Sequence, residues 1–373
     1  MRALKEDIQR RLRAILQTWL KRIAIGRAEL VNTAQAEGLY RALSGPERVN
    51  CLPPVAFYPH LPAALAGKQG PFGFSPPFYL SRRHVVLKGK AAMAYSGGRP
   101  ILETAVARLD CGCDSLLADF KASNFRPYLA EPVEKLDLAF SLVNVWSYNY
   151  FHWLLECLPR LEALEAFCRE TGQQPVLIID GQLPSWKSQS LELLGYSPDV
   201  CHRWRGNAMA VRQLLIASAP REQGRTSPRA CRWLAQRCLG AIVPGAGDGL
   251  NLYVSRRLAS TRRILNEDSL WAALEPLNFH RVCLEELSFA QQVQLFHRAR
   301  LVVAPHGSGL ANMIFAVGVS IVEIFGDDYI NPCFYSLAGG LGFDYIGLRF
   351  PSRQRHILVN VDQVMNAIYQ LWQ

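Results

Sequence analysis

The sequence has no CxxC pair, although it carries ten cysteines, at Cys51, Cys111, Cys113, Cys157, Cys168, Cys201, Cys231, Cys238, Cys283 and Cys333. That scatter excludes zinc-finger and dithiol redox spacing and fits reduced, mostly buried thiols of a cytosolic protein. The one close pair, in Asp110-Cys-Gly-Cys-Asp114, reads as a tight turn. Also missing are an Asp-x-Asp metal signature, a Walker loop, His-Glu-x-x-His and a Gly-x-Ser-x-Gly elbow. Their absence counts against P-loop chemistry, serine hydrolysis and metal-dependent sugar transfer of the single-domain kind.

A membrane span is not expected. Leu138 to Leu155 and Leu301 to Val322 are free of charged residues for about the length a bilayer needs. The first contains Ser141, Asn144, Ser147, Asn149 and His152, and the second Pro305-His306-Gly307-Ser308-Gly309 and Asn312. Hydrocarbon penalises such groups, so both stretches read as buried walls of a site. Arg and Lys recur through the first 27 residues, unlike a secretory signal, so a cytoplasmic protein is expected.

What is present is a 373-residue chain, 50% hydrophobic and 19% charged, long enough for about two domains. Its net charge of +10 favours anionic partners. In residues 4 to 23, Leu4, Ile8, Leu12, Ile15, Leu16, Trp19, Leu20 and Ile23 recur at helical spacing among six Arg and Lys, with Arg2 just before. Such a basic amphipathic helix either docks on the body of the protein or lies on an acidic membrane surface or a partner. After this helical extension (1–45), a Pro-rich loop or linker runs from Cys51 to Pro77.

Apolar runs alternate with helical patterns from Tyr79 to Ser218, which marks an α/β domain over 46–220. A second, Rossmann-like domain is expected over 221–373, beyond a polar break at Pro220 to Arg229 and a Gly-Pro stretch at Val243 to Gly249. It carries strands at Leu250–Ser255, Arg281–Leu284, Leu301–Ala304 and Ser320–Phe325 and helices at Phe289–Arg298 and Gly309–Phe315. Ser288 and Gln291 form a capping-box pattern at the first of these helices.

Three constellations bear chemistry. Strand, glycine turn and helix at Leu301–Phe315 have the form of a phosphate cradle. Gly307 and Gly309 permit close backbone approach, and His306 stands at the strand end. Glu323 ends the next strand sixteen positions after Gly307, where dinucleotide folds place a ribose-binding acid. Asn312 stands where that fingerprint needs glycine, which weakens a nicotinamide enzyme. Arg256, Arg257, Arg262 and Arg263 follow the strand Leu250–Ser255, as guanidinium groups suited to a diphosphate. His152 and Glu156 share a helix face one turn after Asn149 and have the spacing of a base and its orienter, or of an ordinary surface pair. Asp180 is a further strand-end carboxylate.

Taken in order, Asn149–Glu156 with Pro159-Arg160, Tyr253-Val-Ser-Arg256, Arg262-Arg-Ile264 with Asn266-Glu267, His306-Gly-Ser-Gly-Leu-Ala-Asn312 and Val322-Glu-Ile-Phe325 resemble the family 61 glycosyltransferases of the capsular polysaccharide type. The resemblance spans roughly residues 140 to 350. Ser308 replaces the usual alanine of the His-Gly-Ala-Gly-Leu turn.

The resemblance implies a GT-B-like pair of Rossmann-type domains facing a cleft, and inverting transfer without metal or cofactor. The donor would be a nucleoside diphosphate sugar, taken as a UDP sugar, and the acceptor a glycan or lipid-linked saccharide. It gives Asn149, Arg256, Arg263, His306, Gly307, Ser308, Gly309, Asn312 and Glu323 to the nucleotide sugar. His152, then Glu156, is the base. Peripheral contact with an acidic inner membrane through residues 1–27 belongs to the same picture. A catalytically silent nucleotide- or glycan-binding scaffold is the alternative. A nucleic-acid binder ranks last, because the basic residues cluster in the first helix and the arginine loop instead of forming a stripe.

Overall fold

The computed structural model describes residues 2–105, 109–121, 128, 131–132, 134–242 and 249–373, with the side chains of 2–9, 109–111, 118, 120 and 121 set aside. The Gly-Pro stretch expected at Val243 to Gly249 thus lies, except for Gly249, outside the described residues. The chain forms two compact units. One comprises Met1–Pro46, Ser75–Leu183 and Ser197–Arg221, the other Glu47–Phe74, Pro184–Tyr196 and Glu222–Gln373.

In chain order the two main sheets include β1 (Ala56–Tyr58), β2 (Phe78–Lys88), β3 (Met93–Ser96), β4 (Glu134–Ser141), β5 (Val176–Asp180), β6 (His202–Trp204) and β7 (Ala208–Ala217). They continue with β8 (Leu250–Val254), β9 (Phe279–Val282), β10 (Ala299–Pro305), β11 (Ser320–Gly326) and β12 (Tyr345–Phe350). The fold is mixed α/β with parallel strands in both units, as the alternating pattern predicts.

The first unit is built on an eight-stranded sheet in which β6, β5, β4 and β7 run parallel, while β2, β3 and the short strands Tyr40–Ala42 and Arg99–Pro100 continue it antiparallel. Leu80, Val85, Leu87, Ala139, Met209, Val211, Leu214 and Ile216 form its core with Ile25 and Leu30. The predicted amphipathic helix forms as α1 (Arg2–Ile23) and packs on α2 (Leu109–Lys121). Leu20 is wholly buried, and Arg13 pairs with Asp114 at 3.0 Å. Asp110-Cys-Gly-Cys-Asp114, expected as a turn, is instead helical within α2. Gly112 explains the docking: a Cβ there would stand 3.3 Å from Leu20 and 3.2 Å from Leu102.

The second unit is a six-stranded, all-parallel sheet in the order β9-β8-β10-β11-β12-β1. Strands β10 and β11 are buried on both faces, which is why they read as continuous apolar runs. Tyr253, Leu301, Val303, Val322, Ile324, Ile346 and Leu348 share a core with Leu270, Leu274, Val364 and Ile368. The Pro-rich stretch expected as a linker contributes an edge strand here, since β1 pairs with β12 and Val55 N–H donates to the Tyr345 carbonyl. The chain leaves β8 for β9 on one side, then returns to β10 on the other. The carboxyl ends of β8 and β10 therefore flank the crevice at which open α/β sheets bind ligands.

Glu103 ties the first unit together. Wholly shielded, it accepts two hydrogen bonds of 3.0 Å from Arg27 and one of 2.7 Å from the Ala219 amide. Removing one partner of such a buried pair strands the others. Glu103→Ala is therefore expected to cost about 3 kcal/mol, read as a lower urea midpoint, with Glu103→Gln intermediate.

Candidate active site

Glu323 lies on β11 between Ala304 of β10 and Gly347 of β12, wholly buried. A carboxylate there requires partners. Its Oε1 meets His306 Nδ1 at 2.5 Å and its Oε2 accepts from Tyr345 Oη at 2.6 Å. The ribose contact expected of Glu323 gives way to an orienting role, because a wholly buried carboxylate with both oxygens engaged presents nothing to a ligand. His306, at the end of β10, is packed by Phe325, Phe334 and Tyr329, with ring centroids 5.3, 5.2 and 5.4 Å away.

The glycine turn serves a different purpose from the one expected. Gly307 is extended, with φ −176°, and a Cβ there would collide with the Arg256 guanidinium. Close approach is thus made by Arg256 itself. A Cβ on Gly309 would likewise meet Leu284 at 2.5 Å. The helix expected from Gly309 is a 3₁₀ segment, Ser308–Phe315. Asn312 is fully buried and donates to Gln292 Oε1 at 2.9 Å, so it braces the segment from within.

Two arginines gather beside His306. Arg256 follows β8 and donates to the Thr261 carbonyl at 3.2 and 3.3 Å. Burial pushes its pKa down to about 10, and the like charge of Arg262 adds to the fall. Arg262 has φ +57°, a left-handed conformation uncommon for a non-glycine residue, and its guanidinium lies 5.2 Å over the Tyr329 ring that also packs His306. Its buried Nε has no hydrogen-bond partner among the described residues.

Arg263, the expected ligand, is exposed and turned to His356, 3.4 Å from its Nη2. Ile264 is buried and bridges Ile357, but strand alternation does not reach Arg262 through that residue's left-handed backbone, so the choice between the two arginines was not legible in the sequence. Asn266 exchanges hydrogen bonds with both backbone groups of Val359, and Glu267 accepts from buried Tyr253 at 2.8 Å. These motif residues hold the arginine loop in place.

The first unit carries the other constellation. Asn149 caps the turn Tyr150–His152, accepting from Phe151 N–H at 2.9 Å. The expected continuous helix is instead a wide π turn (Trp153–Cys157), a 3₁₀ turn containing Pro159, and then α3 (Leu161–Thr171). Proline removes a helical donor, and inserted π turns recur at functional sites. His152 Nδ1 lies 2.8 Å from Glu156 Oε2, and the His152 ring stacks on Trp146 at 5.7 Å.

Arg221 donates to Glu156 Oε1 at 2.7 Å and lies over the Phe151 ring. Sequence reasoning did not single out Arg221, which stands 65 positions away with no motif around it. Burial alone would raise the Glu156 pKa, but the hydrogen bond from His152 and the charge of Arg221 hold it below the ordinary 4.5. Asp180 accepts from Ser147 at 2.8 Å and anchors the loop before Asn149.

Residues 150–320 match the profile of the family described as Glycosyltransferase 61, a span that includes Arg221 and most of both constellations but neither Asn149 nor Glu323. The chain is also 28% identical over 122 residues to the EGF domain-specific O-linked N-acetylglucosamine transferase of Mus musculus. That likeness covers 31% of this chain and 23% of the mouse protein, so the match spans under a quarter of the relative's length. Fold, motifs and likeness define the class: the chain carries a glycosyltransferase domain. More particularly, the two matches support family 61.

Because the Glu156 pKa is lowered on folding, its contribution to stability is complete above about pH 4.5 and is lost as pH falls through the lowered value. Arg221→Met leaves that carboxylate buried with one partner fewer. The variant is expected to lose roughly 3 kcal/mol at pH 7, and the gap to the native chain should narrow below pH 4, as thermal melts across pH would show.

Proposed function

We propose that the chain is an inverting glycosyltransferase that takes a sugar from a nucleoside diphosphate sugar, with UDP as the nucleotide, and transfers it to a glycan or protein-linked acceptor hydroxyl. The observation that carries this reading is the gathering of Arg256, Arg262 and His306 at the crevice between β8 and β10. Neither arginine makes an ion pair among the described residues, while Arg256 is half-buried and repelled by Arg262. Such a cluster calls for a multiply charged anion, and a leaving diphosphate supplies one. The name of the mouse relative states N-acetylglucosamine transfer to EGF domains, which makes a UDP-linked sugar the first donor to test.

The proposed division of labour is GT-B-like, with the donor on the C-terminal unit and the acceptor on the N-terminal one. His152, held through Nδ1 by Glu156, takes the proton of the acceptor hydroxyl on Nε2. The acceptor oxygen attacks the anomeric carbon, the bond from that carbon to the phosphate oxygen breaks, and the configuration inverts. The negative charge released on the diphosphate is met by Arg256, Arg262 and His306, so the reaction proceeds without a metal. Glu156 and Glu323 act as positioning residues, each on one histidine.

Calorimetric titration with nucleoside diphosphates in chelator tests the donor half. Arg256→Ala and Arg262→Ala are each expected to weaken binding roughly 10- to 100-fold, whereas exposed Arg263→Ala should change it by less than about threefold. Equal losses at all three positions, or no binding by the folded native chain, would contradict the site. For the catalytic half, His152→Ala is expected to retain nucleotide affinity and lose about 10²- to 10⁴-fold in turnover. Donor binding by a native chain that never turns over would mark it as a silent scaffold.

A further inference from the structure

The helix α1 has two faces to account for. Its inner side is occupied: Leu20 is buried against α2, Leu12 and Leu16 are half-buried, and Arg13 is paired with Asp114. One turn apart on another side, Ile15 and Trp19 are 65% and 43% exposed. A helical repeat puts Arg11, Thr18 and Arg22 on that same side, and all three are exposed. Arg10 and Lys21 are exposed as well, and the chain from Ile8 to Ala28 contains no Asp or Glu.

From this face we infer a docking surface for an anionic lipid bilayer. Docking on the body of the protein and lying on a membrane are therefore not alternatives for this helix. Tryptophan and isoleucine between arginines have the composition of a segment seated at the headgroup boundary, the ring and the branched chain in the acyl edge and the guanidinium groups at the phosphates. Charge complementarity selects the occupant. A surface with the four exposed cations Arg10, Arg11, Lys21 and Arg22 meets acidic headgroups, each cation near the surface strengthening binding roughly fivefold. Among the described residues no helix is long and apolar enough to cross a membrane, so the contact is peripheral.

The test uses the full chain and flotation with phosphatidylcholine vesicles, with and without 30% phosphatidylglycerol. The expected result is flotation with the anionic vesicles alone, reduced in 0.5 M salt by screening. Ile15→Ser with Trp19→Ser should abolish flotation without changing the melting temperature. Lys21→Gln with Arg22→Gln should weaken it about 30-fold. Because the replaced side chains are solvent-facing, both variants should stay folded, and the second keeps the test open if the first does not. No flotation of the native chain, or flotation unchanged in both variants, overturns the proposal. So does a native dimer that the Ile15 and Trp19 substitutions convert to monomer, since that would make the face a contact between copies of the chain. Nucleotide binding is unaffected by any of these outcomes, so the inference stands or falls apart from the proposed activity.

Discussion

The carboxyl group of Glu323 sits wholly buried inside the all-parallel sheet of the second unit, and much of the candidate site follows from how it is held. Glu323 has no solvent, so its two oxygens take His306 and Tyr345. Those contacts fix the end of β10 relative to β11 and β12 and set the orientation of the imidazole. With His306 set, the following residue runs extended and lacks a Cβ, and the Arg256 guanidinium fills the space so left. Tyr329 then carries Arg262 on one side and packs His306 on the other. A carboxyl group that is costly to bury thus specifies the positions of an imidazole and two guanidinium groups.

The His152–Glu156 and His306–Glu323 pairs are built alike and balanced differently. In each, a carboxylate oxygen meets Nδ1, and Nε2 has no partner among the described residues. Glu156 has a second cation, Arg221, on its other oxygen, whereas Glu323 has a neutral phenol. Glu156 is therefore shared between two partners, which suits the proton-accepting role proposed for His152. Glu323 has His306 as its one basic partner, and His306 stands among arginines where an anion is expected. The assignment of base to one histidine and anion contact to the other follows that difference.

Much of the second unit was legible in the sequence because its strands are buried on both faces and its signals are local. The capping box at Ser288 and Gln291 forms as expected, each side chain bonded to the other's backbone amide. The long uncharged stretches were legible as buried walls for the same reason: the residues from Leu301 to Phe315 are almost all hidden. Contacts that cross sequence distance were not. Nothing near Ala56–Tyr58 announces a partner strand almost 290 positions later, and nothing around Arg221 announces Glu156. The glycines of the His306 turn were recognised as sites of close approach, but the approaching group is a side chain of the protein, a fact the motif does not contain. Glu323 was placed correctly on its strand and given the wrong neighbour, because strand position fixes the face a side chain takes but not whether that face is open to solvent.

The proposed transfer requires the diphosphate to be held by the second unit at the switch point of its sheet. The most direct measurement is a structure of the chain with a nucleoside diphosphate bound. Phosphate oxygens are expected within hydrogen-bond reach of Arg256, Arg262 and His306 Nε2, with Glu323 still buried behind the imidazole. Phosphates seated on Arg263 and His356, or away from the ends of β8 and β10, would contradict this placement.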